Sequence, residues 1–459
     1  MGHTVTVSNE SRTGLAVAGL SLGTALNPLN SSMIAVALVV LRADFGLDVA
    51  AVTWVVTSFY LASAAGQPLM GRLADRFGPR RMFMLGMALV AVTCAVAPLA
   101  PSFAVLCVAR AVMALGTAAA YPSAVVMVGA IAHRAQVESA RPLGRIQMAN
   151  TSAAAVGPVV GGLLLTLVGW EALFLVNVPL ALAALLIVRQ VAPPDSPRER
   201  GSVAELLRDS DIPGILAFTA ALLLVMMAAL GVAPDYRWWM LAAGTVTGAL
   251  FAWRELRFNR PFLDLRLLGR NRPLLLVYLG FAVFSSVYYF VFFGLPQLLQ
   301  EAGGYDPGLV GLLMLPLATF SVLATPWAVT AMGRFGVRRV LIAGVVLLTA
   351  VAALMWVLTG TLAIPVVLVL TALMGIPYGA VGIATNQGMF VSTRPQERGV
   401  AAGIYQTCRY VGAITATVMI GVFATDGVGQ DGWARMVLAM LVLCAVVFGV
   451  FLLWRQRSA

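Results

Sequence analysis

Lysine is absent from the chain: each of its 30 basic residues is arginine. Histidine is almost absent, with His3 and His133 alone, and only 19 acids stand against the 30 arginines. Charged residues make up 11% of the composition, against roughly 25% in an ordinary soluble domain. These shortages exclude whole classes. A membrane enzyme needs a nucleophile, a metal site or an acid pair at membrane depth, and one histidine in the N-terminal tail and one in a loop supply none. The four cysteines, Cys94, Cys107, Cys408 and Cys444, all lie in apolar stretches without metal spacing and read as small packing residues. Nucleic-acid binding needs a continuous basic face, whereas these arginines fall between apolar runs. No selectivity ring or signalling domain is visible, which argues against a channel or receptor. Residues 1–13 lack the charged, apolar and cleavage regions of a signal peptide.

What is abundant is apolar surface: 60% of residues are hydrophobic and the mean hydropathy is +0.92. No soluble core of this size hides that much, so lipid must be the solvent. A bilayer core of about 30 Å needs about 20 apolar helical residues. Fourteen stretches meet that length: 14–41, 51–71, 81–100, 102–130, 145–168, 172–190, 212–233, 237–256, 273–300, 307–331, 338–359, 362–386, 398–423 and 433–454. Strands of a barrel would be half as long with polar alternation, so the expected class is an all-α integral membrane protein.

Loop parity orients it. With the N-terminus inside, 25 arginines fall in inner connections and tails, and only Arg42, Arg237 and Arg435 lie outside, while Arg110 and Arg409 lie within spans. That asymmetry is a strong positive-inside signal and places both tails in the cytoplasm. Two polar, arginine-rich linkers, 191–211 and 257–272, bracket spans seven and eight. The expected division is an N-terminal six-helix bundle (1–190), a linker region with two extra helices (191–272) and a C-terminal six-helix bundle (273–459). A short repeat supports it: Arg76-Phe77-Gly78-Pro79-Arg80-Arg81 and Arg334-Phe335-Gly336-Val337-Arg338-Arg339 follow the second span of each bundle.

The motifs resemble a known family. Gly71-Arg72-Leu73-Ala74-Asp75-Arg76-Phe77-Gly78-Pro79-Arg80-Arg81 looks like the loop signature of the major facilitator superfamily. The resemblance implies a conformational latch made by Gly71, Asp75, Arg76, Gly78, Arg80 and Arg81, with the Asp75 carboxylate facing the N-terminus of span thirteen near Gly399. Arg110, ahead of Gly116-Thr117-Ala118, is similar to the family's span-four arginine, buried in the outer half. Gly157-Pro158-Val159-Val160-Gly161-Gly162 resembles the span-five motif of antiporters and exporters, and Asn177-Val178-Pro179 the span-six entry. Thr53 to Tyr60, Asp211 to Gly214 and Arg409 within Tyr405 to Tyr410 resemble the fourteen-span drug:proton antiporter branch. A major facilitator fold of two six-helix bundles plus two extra helices is therefore expected.

One departure bears on coupling. Where that branch often carries an aspartate in span one, this chain has Asn30, which cannot carry a proton. The remaining coupling candidates, Glu171, Asp211 and Glu301, sit at span edges with Asp306. The substrate-pathway candidates at mid-depth are Asn30, Trp54, Tyr60, Tyr121, Asn150, Tyr288, Tyr289, Asn386, Gln387 and Gln406, where apolar walls with polar anchors suit amphipathic ligands. Two buried arginines without acidic neighbours favour anionic or zwitterionic cargo. The expected function is export of small amphipathic molecules by proton antiport and alternating access, in a bacterial inner membrane. The alternative is a facilitator or importer of a small metabolite without proton coupling. The expected partners are the substrate and membrane lipid, with no nucleic acid, no metal, no cofactor beyond a proton gradient, and a monomeric chain.

Overall fold

The computed structural model describes residues 2–135, 140–192, 194–195, 211–258, 265–394, 398–424 and 427–454. Most of the first linker (193 and 196–210) and residues 259–264 of the second lie outside the described residues. Among the described residues, regular structure is helical, and fourteen helices have fifteen residues or more. They are α1 (Gly2–Met33), α2 (Trp54–Phe77), α3 (Pro79–Val96), α4 (Phe103–Ala135), α5 (Ala140–Leu167), α6 (Asn177–Val191), α7 (Ile212–Ala229) and α8 (Arg237–Glu255). After the second linker come α9 (Arg272–Glu301), α10 (Pro307–Phe335), α11 (Val337–Leu354), α12 (Ile364–Val391), α13 (Arg398–Phe423) and α14 (Gln430–Leu453).

Eleven of the described helices are long and apolar enough to cross a bilayer, or twelve when α1 and the bent segment Leu38–Asp44, inclined by 64°, are taken as one span. The two helices short of that measure have visible reasons. α8 carries Trp238, Trp239 and Trp253 with a charged residue at each end, and α13 carries Gln406 and Arg409 in its middle. Both are helical where the sequence expects spans eight and thirteen.

Helix pairing follows one pattern twice. α1 packs on α5 and α6, α2 on α4, and α3 on α4 and α6; eight helices later α9 packs on α13 and α14, α10 on α12, and α11 on α12 and α14. The repeated arginine-rich turns share a backbone as well as a sequence. Gly78, between α2 and α3, has φ 99° and ψ 132°, and Gly336, between α10 and α11, has φ 83° and ψ 156°. Only glycine enters that region without strain, which fixes both positions.

α7 and α8 form a hairpin that packs mainly on itself and touches α2 and α13 through α7. Its arginine-rich end is held by a buried charge cluster. Asp211 adopts a left-handed φ of 44° and caps α7 by accepting from the Gly214 N–H, while Arg254 bridges to its Oδ1 at 2.8 Å. Glu255 lies fully buried beside it, both carboxyls flanking Gly214. Burial pushes the Asp211 carboxyl up, but its interactions with Glu255 and Arg254, the Arg254 charge and the Gly214 N–H together hold it below the usual carboxylate range. A carboxyl held below its ordinary value lends stability above that value and loses it as pH falls through the depressed one. The hairpin should therefore keep its hydrogen-exchange protection at the Gly214 and Ile215 amides from neutral pH down to about pH 4 and lose it on further acidification. Asp211→Ala should show the loss already at neutral pH, once intrinsic exchange rates are corrected for.

Candidate functional site

The two halves meet through contacts that lie toward the arginine-poor end. Thr57 of α2 hydrogen-bonds Thr417 of α13 at 3.0 Å. Gln300 of α9 donates to the Val36 carbonyl beyond α1, and Arg42 pairs with Glu301 at 2.8 Å. Glu301 also accepts the Val428 N–H, tying the turn before α14 to the same point. Asp306 caps α10 through the Gly308 and Leu309 N–H groups, and Gly308 also donates to Thr166 of α5.

The glycine-proline motif of α5 faces two neighbours at once. A Cβ on Gly157 would strike the Ser32 hydroxyl, and one on Gly161 would lie 2.8 Å from the Met33 carbonyl oxygen, both on α1. A Cβ on Gly162 would strike the Pro307 carbonyl, while Gly311 of α10 sits against the carbonyl of Pro158. Backbone therefore touches backbone on both sides of α5, which small residues alone permit in lipid.

The loop signature is built differently from the expectation for a latch across the halves. The Asp195 carboxylate, from the first linker, accepts the Arg80 and Arg81 N–H groups at 2.9 and 3.1 Å. It thereby satisfies two open donors at the α3 N-terminus and meets the positive end of that helix. Arg80 donates to the Arg189 carbonyl, and a side chain at Gly78 would strike Asp195. Asp75 is exposed, Gly71 and Arg76 are half-buried, and the side-chain surroundings of Gly399 lie outside the described residues.

At mid-depth the seam is aromatic. Tyr60 of α2 meets Tyr289 and Phe293 of α9 and Tyr410 of α13, with ring centroids 5.5, 6.2 and 5.7 Å away. Tyr288 stacks on Tyr378 of α12 at 3.6 Å, and Phe281 on Tyr405 of α13 at 3.8 Å. Arg409 stands over Tyr410, with Tyr289, Tyr378 and Tyr60 within electrostatic reach. Gln406 donates to the Tyr410 hydroxyl.

The structure thus brings Tyr60, Tyr288, Tyr289, Gln406 and Arg409 together. Trp54, Asn150 and Asn386 are half-buried, and Tyr121 and Gln387 are exposed, outside this ring cluster. Asn30 is turned into a fully buried amide pair with Asn177 of α6, each donating to the other at 2.7 and 2.9 Å. Arg110 lies between α4 and α2, donating to the Val55 carbonyl over the Phe59 ring. Glu171 sits in the turn after α5, beside Gly169. Sequence reasoning missed Tyr378, Tyr405, Asp195 and Glu255. The α9 spacing of Phe281, Phe284, Tyr288 and Phe292 was a legible stripe, but its partners come from distant helices and carry no local signal.

Overpacking at a backbone contact costs about 1–3 kcal/mol, and each 1.4 kcal/mol is tenfold in a population. Gly162→Val should therefore hold α5 and α10 apart. A thiol placed at Thr57 should gain reactivity of about tenfold or more toward an impermeant reagent supplied at the arginine-poor end. Gly449→Val, where a Cβ meets nothing within 4 Å, should leave that reactivity unchanged.

Comparison with known proteins agrees with this geometry. The chain matches the family model of the Major Facilitator Superfamily over residues 20–417 and again over 304–459. YwoD of Bacillus subtilis (strain 168), named as an uncharacterized MFS-type transporter, is 33% identical over 99% of this chain and 98% of its own length. The tetracenomycin C resistance and export protein of Streptomyces glaucescens is 29% identical over 95% of this chain and 81% of its own. The multidrug resistance protein Stp of Mycobacterium tuberculosis is 30% identical over 89% and 75%. Among solved structures, a bacterial homologue of the human lysosomal transporter Spinster, inward-facing and unoccupied, aligns with a TM-score of 0.65 at 14% identity. That alignment covers 96% of this chain and 97% of the other, and it speaks to the fold alone. Twice-repeated helix pairing, the glycine-proline contacts of α5 and a family match across nearly the whole length give one conclusion: the chain belongs to the Major Facilitator Superfamily.

Proposed function

We propose that the protein is a secondary active transporter that exports small amphipathic molecules, working by alternating access of two six-helix halves. The observation that carries this reading is the closure of the α5 glycine-proline motif on α1 and α10 at the arginine-poor end. Such a contact makes one end of the seam a tight, separable gate. The names of the relatives from Streptomyces glaucescens and Mycobacterium tuberculosis, a resistance and export protein and a multidrug resistance protein, support outward drug traffic. The helix count in this reading is fourteen, with α8 and α13 crossing the bilayer despite their polar content. The arginine-rich end faces the cytoplasm of a bacterial cell by the positive-inside rule, with both tails there. The gate closed in this conformation is then the outer one, and the exposed Asp75 is a latch awaiting the opposite state.

For coupling, Glu301 fits best among Glu171, Asp211 and Glu301. It bridges the halves through Arg42, so opening the outer gate separates that pair and turns the carboxylate toward outside protons. Asp211 belongs to the hairpin, away from the seam. A second reading, facilitated movement without protons, draws support from the Asn30–Asn177 pair, which fills the span-one position with a satisfied, uncharged amide.

Proteoliposomes decide between the two. An imposed pH gradient should drive accumulation of a transported amphipath. Glu301→Gln should abolish the response to the gradient while leaving solute counterflow within about twofold of wild type, since coupling and movement are separable events. Wild-type counterflow with no response to a gradient would leave the facilitator reading.

A further inference from the structure

The two arginines inside the spans differ in what engages them. Arg110 is buried, donates to the Val55 carbonyl and lies over the Phe59 ring at 4.5 Å. Those partners belong to its own half and engage its Nε and its ring-facing side, although its Nη2 is enclosed without a hydrogen-bond partner. Arg409 is half-buried at the seam and makes no hydrogen bond or ion pair among the described residues; its Nε is enclosed without a partner. Its one described contact is the Tyr410 ring, 5.7 Å away. A cation held at membrane depth with only ring faces beside it is missing a counter-charge.

The neighbouring groups sharpen what is missing. The buried Tyr60 hydroxyl, near Tyr289 and Ser31, has no well-aligned hydrogen-bond partner. Two donors without an acceptor, and no described carboxylate beside them, ask for an anion rather than a zwitterion. Beside Arg409 the rings share one orientation: successive planes from Phe292 through Tyr288, Tyr378, Phe284 and Phe281 to Tyr405 differ by 9° to 28°. The close contacts of 3.6 and 3.8 Å within this ladder show that the site accommodates face-to-face stacking, the geometry a further planar ring would extend.

Resting on the efflux reading, we infer that the cargo is a planar aromatic molecule bearing one negative charge, a carboxylate or an ionised phenol. Its ring system extends the aromatic ladder of α9, α12 and α13, and its anionic oxygens accept from Arg409 and the Tyr60 hydroxyl. Among the described residues no carboxylate stands beside Arg409 to offer a cationic cargo an ion pair, so lipophilic cations are predicted to be poorer ligands.

The test uses the full-length protein in detergent and three molecules with one ring system: anthraquinone-2-carboxylate, its carboxamide and its aminomethyl analogue. The carboxylate should bind at least about tenfold tighter than the amide, and the amine weakest. Arg409→Gln should bring carboxylate and amide within about twofold while amide binding persists, which shows that the variant is folded. Arg409→Lys should restore most of the preference. Tightest binding by the amine, or an unchanged preference in Arg409→Gln, would overturn the inference and leave efflux standing. Retained carboxylate preference without net outward movement in vesicles would uphold the inference and overturn efflux instead.

Discussion

The structure depends on how closely two backbones can approach where lipid gives no help. Between apolar helices in a bilayer, the hydrophobic effect is nearly neutral, and cohesion comes from contact and hydrogen bonding. The α5 helix meets that constraint with Gly157 and Gly161 on its α1 side and Gly162 on its α10 side. The first contact fixes α5 within its own half, while the second joins it to the other half. One helix therefore couples the internal packing of a bundle to the state of the gate. The Thr57–Thr417, Gln300–Val36 and Arg42–Glu301 contacts add polar closure around the same end. None of these involves interlocking large side chains, so separation costs little rearrangement within either bundle.

The same residue type meets two different environments. Arg110 is engaged inside its own half, by a carbonyl and a phenyl face. Arg409 keeps its capacity, because α13 places it where the halves meet and the nearest polar groups are tyrosines. Asn30 and Asn177 show the opposite economy: two amides that cancel each other's needs and hold α1 to α6. Arg409 and the Tyr60 hydroxyl, lacking such partners at the seam, are the groups on which the proposed cargo contact rests.

Much of this was legible in the sequence because lipid enforces simple rules. Helix positions followed from apolar length, and duplication from the two arginine-rich turns whose glycines, Gly78 and Gly336, share an unusual backbone. The convergence of Tyr60, Tyr288, Tyr289 and Arg409 was expected from depth alone. What stayed hidden depends on rotation about helix axes and on long-range neighbours. Depth cannot tell that Asn30 points at Asn177, or that Tyr378 and Tyr405 complete the α9 stripe. The Asp195 contact to α3 was hidden for another reason: a polar residue in a linker carries no periodicity to say where it docks.

The central claim is that two rigid halves open one end of the seam as they close the other. Distances between paired labels at the arginine-poor ends of α5 and α10, and between pairs at the arginine-rich ends of α2 and α13, test it most directly. The account predicts two populations in which one distance lengthens as the other shortens. Asp75→Asn should shift their ratio about two- to fivefold toward the state closed at the arginine-poor end, the scale of a lost carboxylate at a helix N-terminus. Distances that vary together, or a single population unmoved by cargo or by Asp75→Asn, would contradict it.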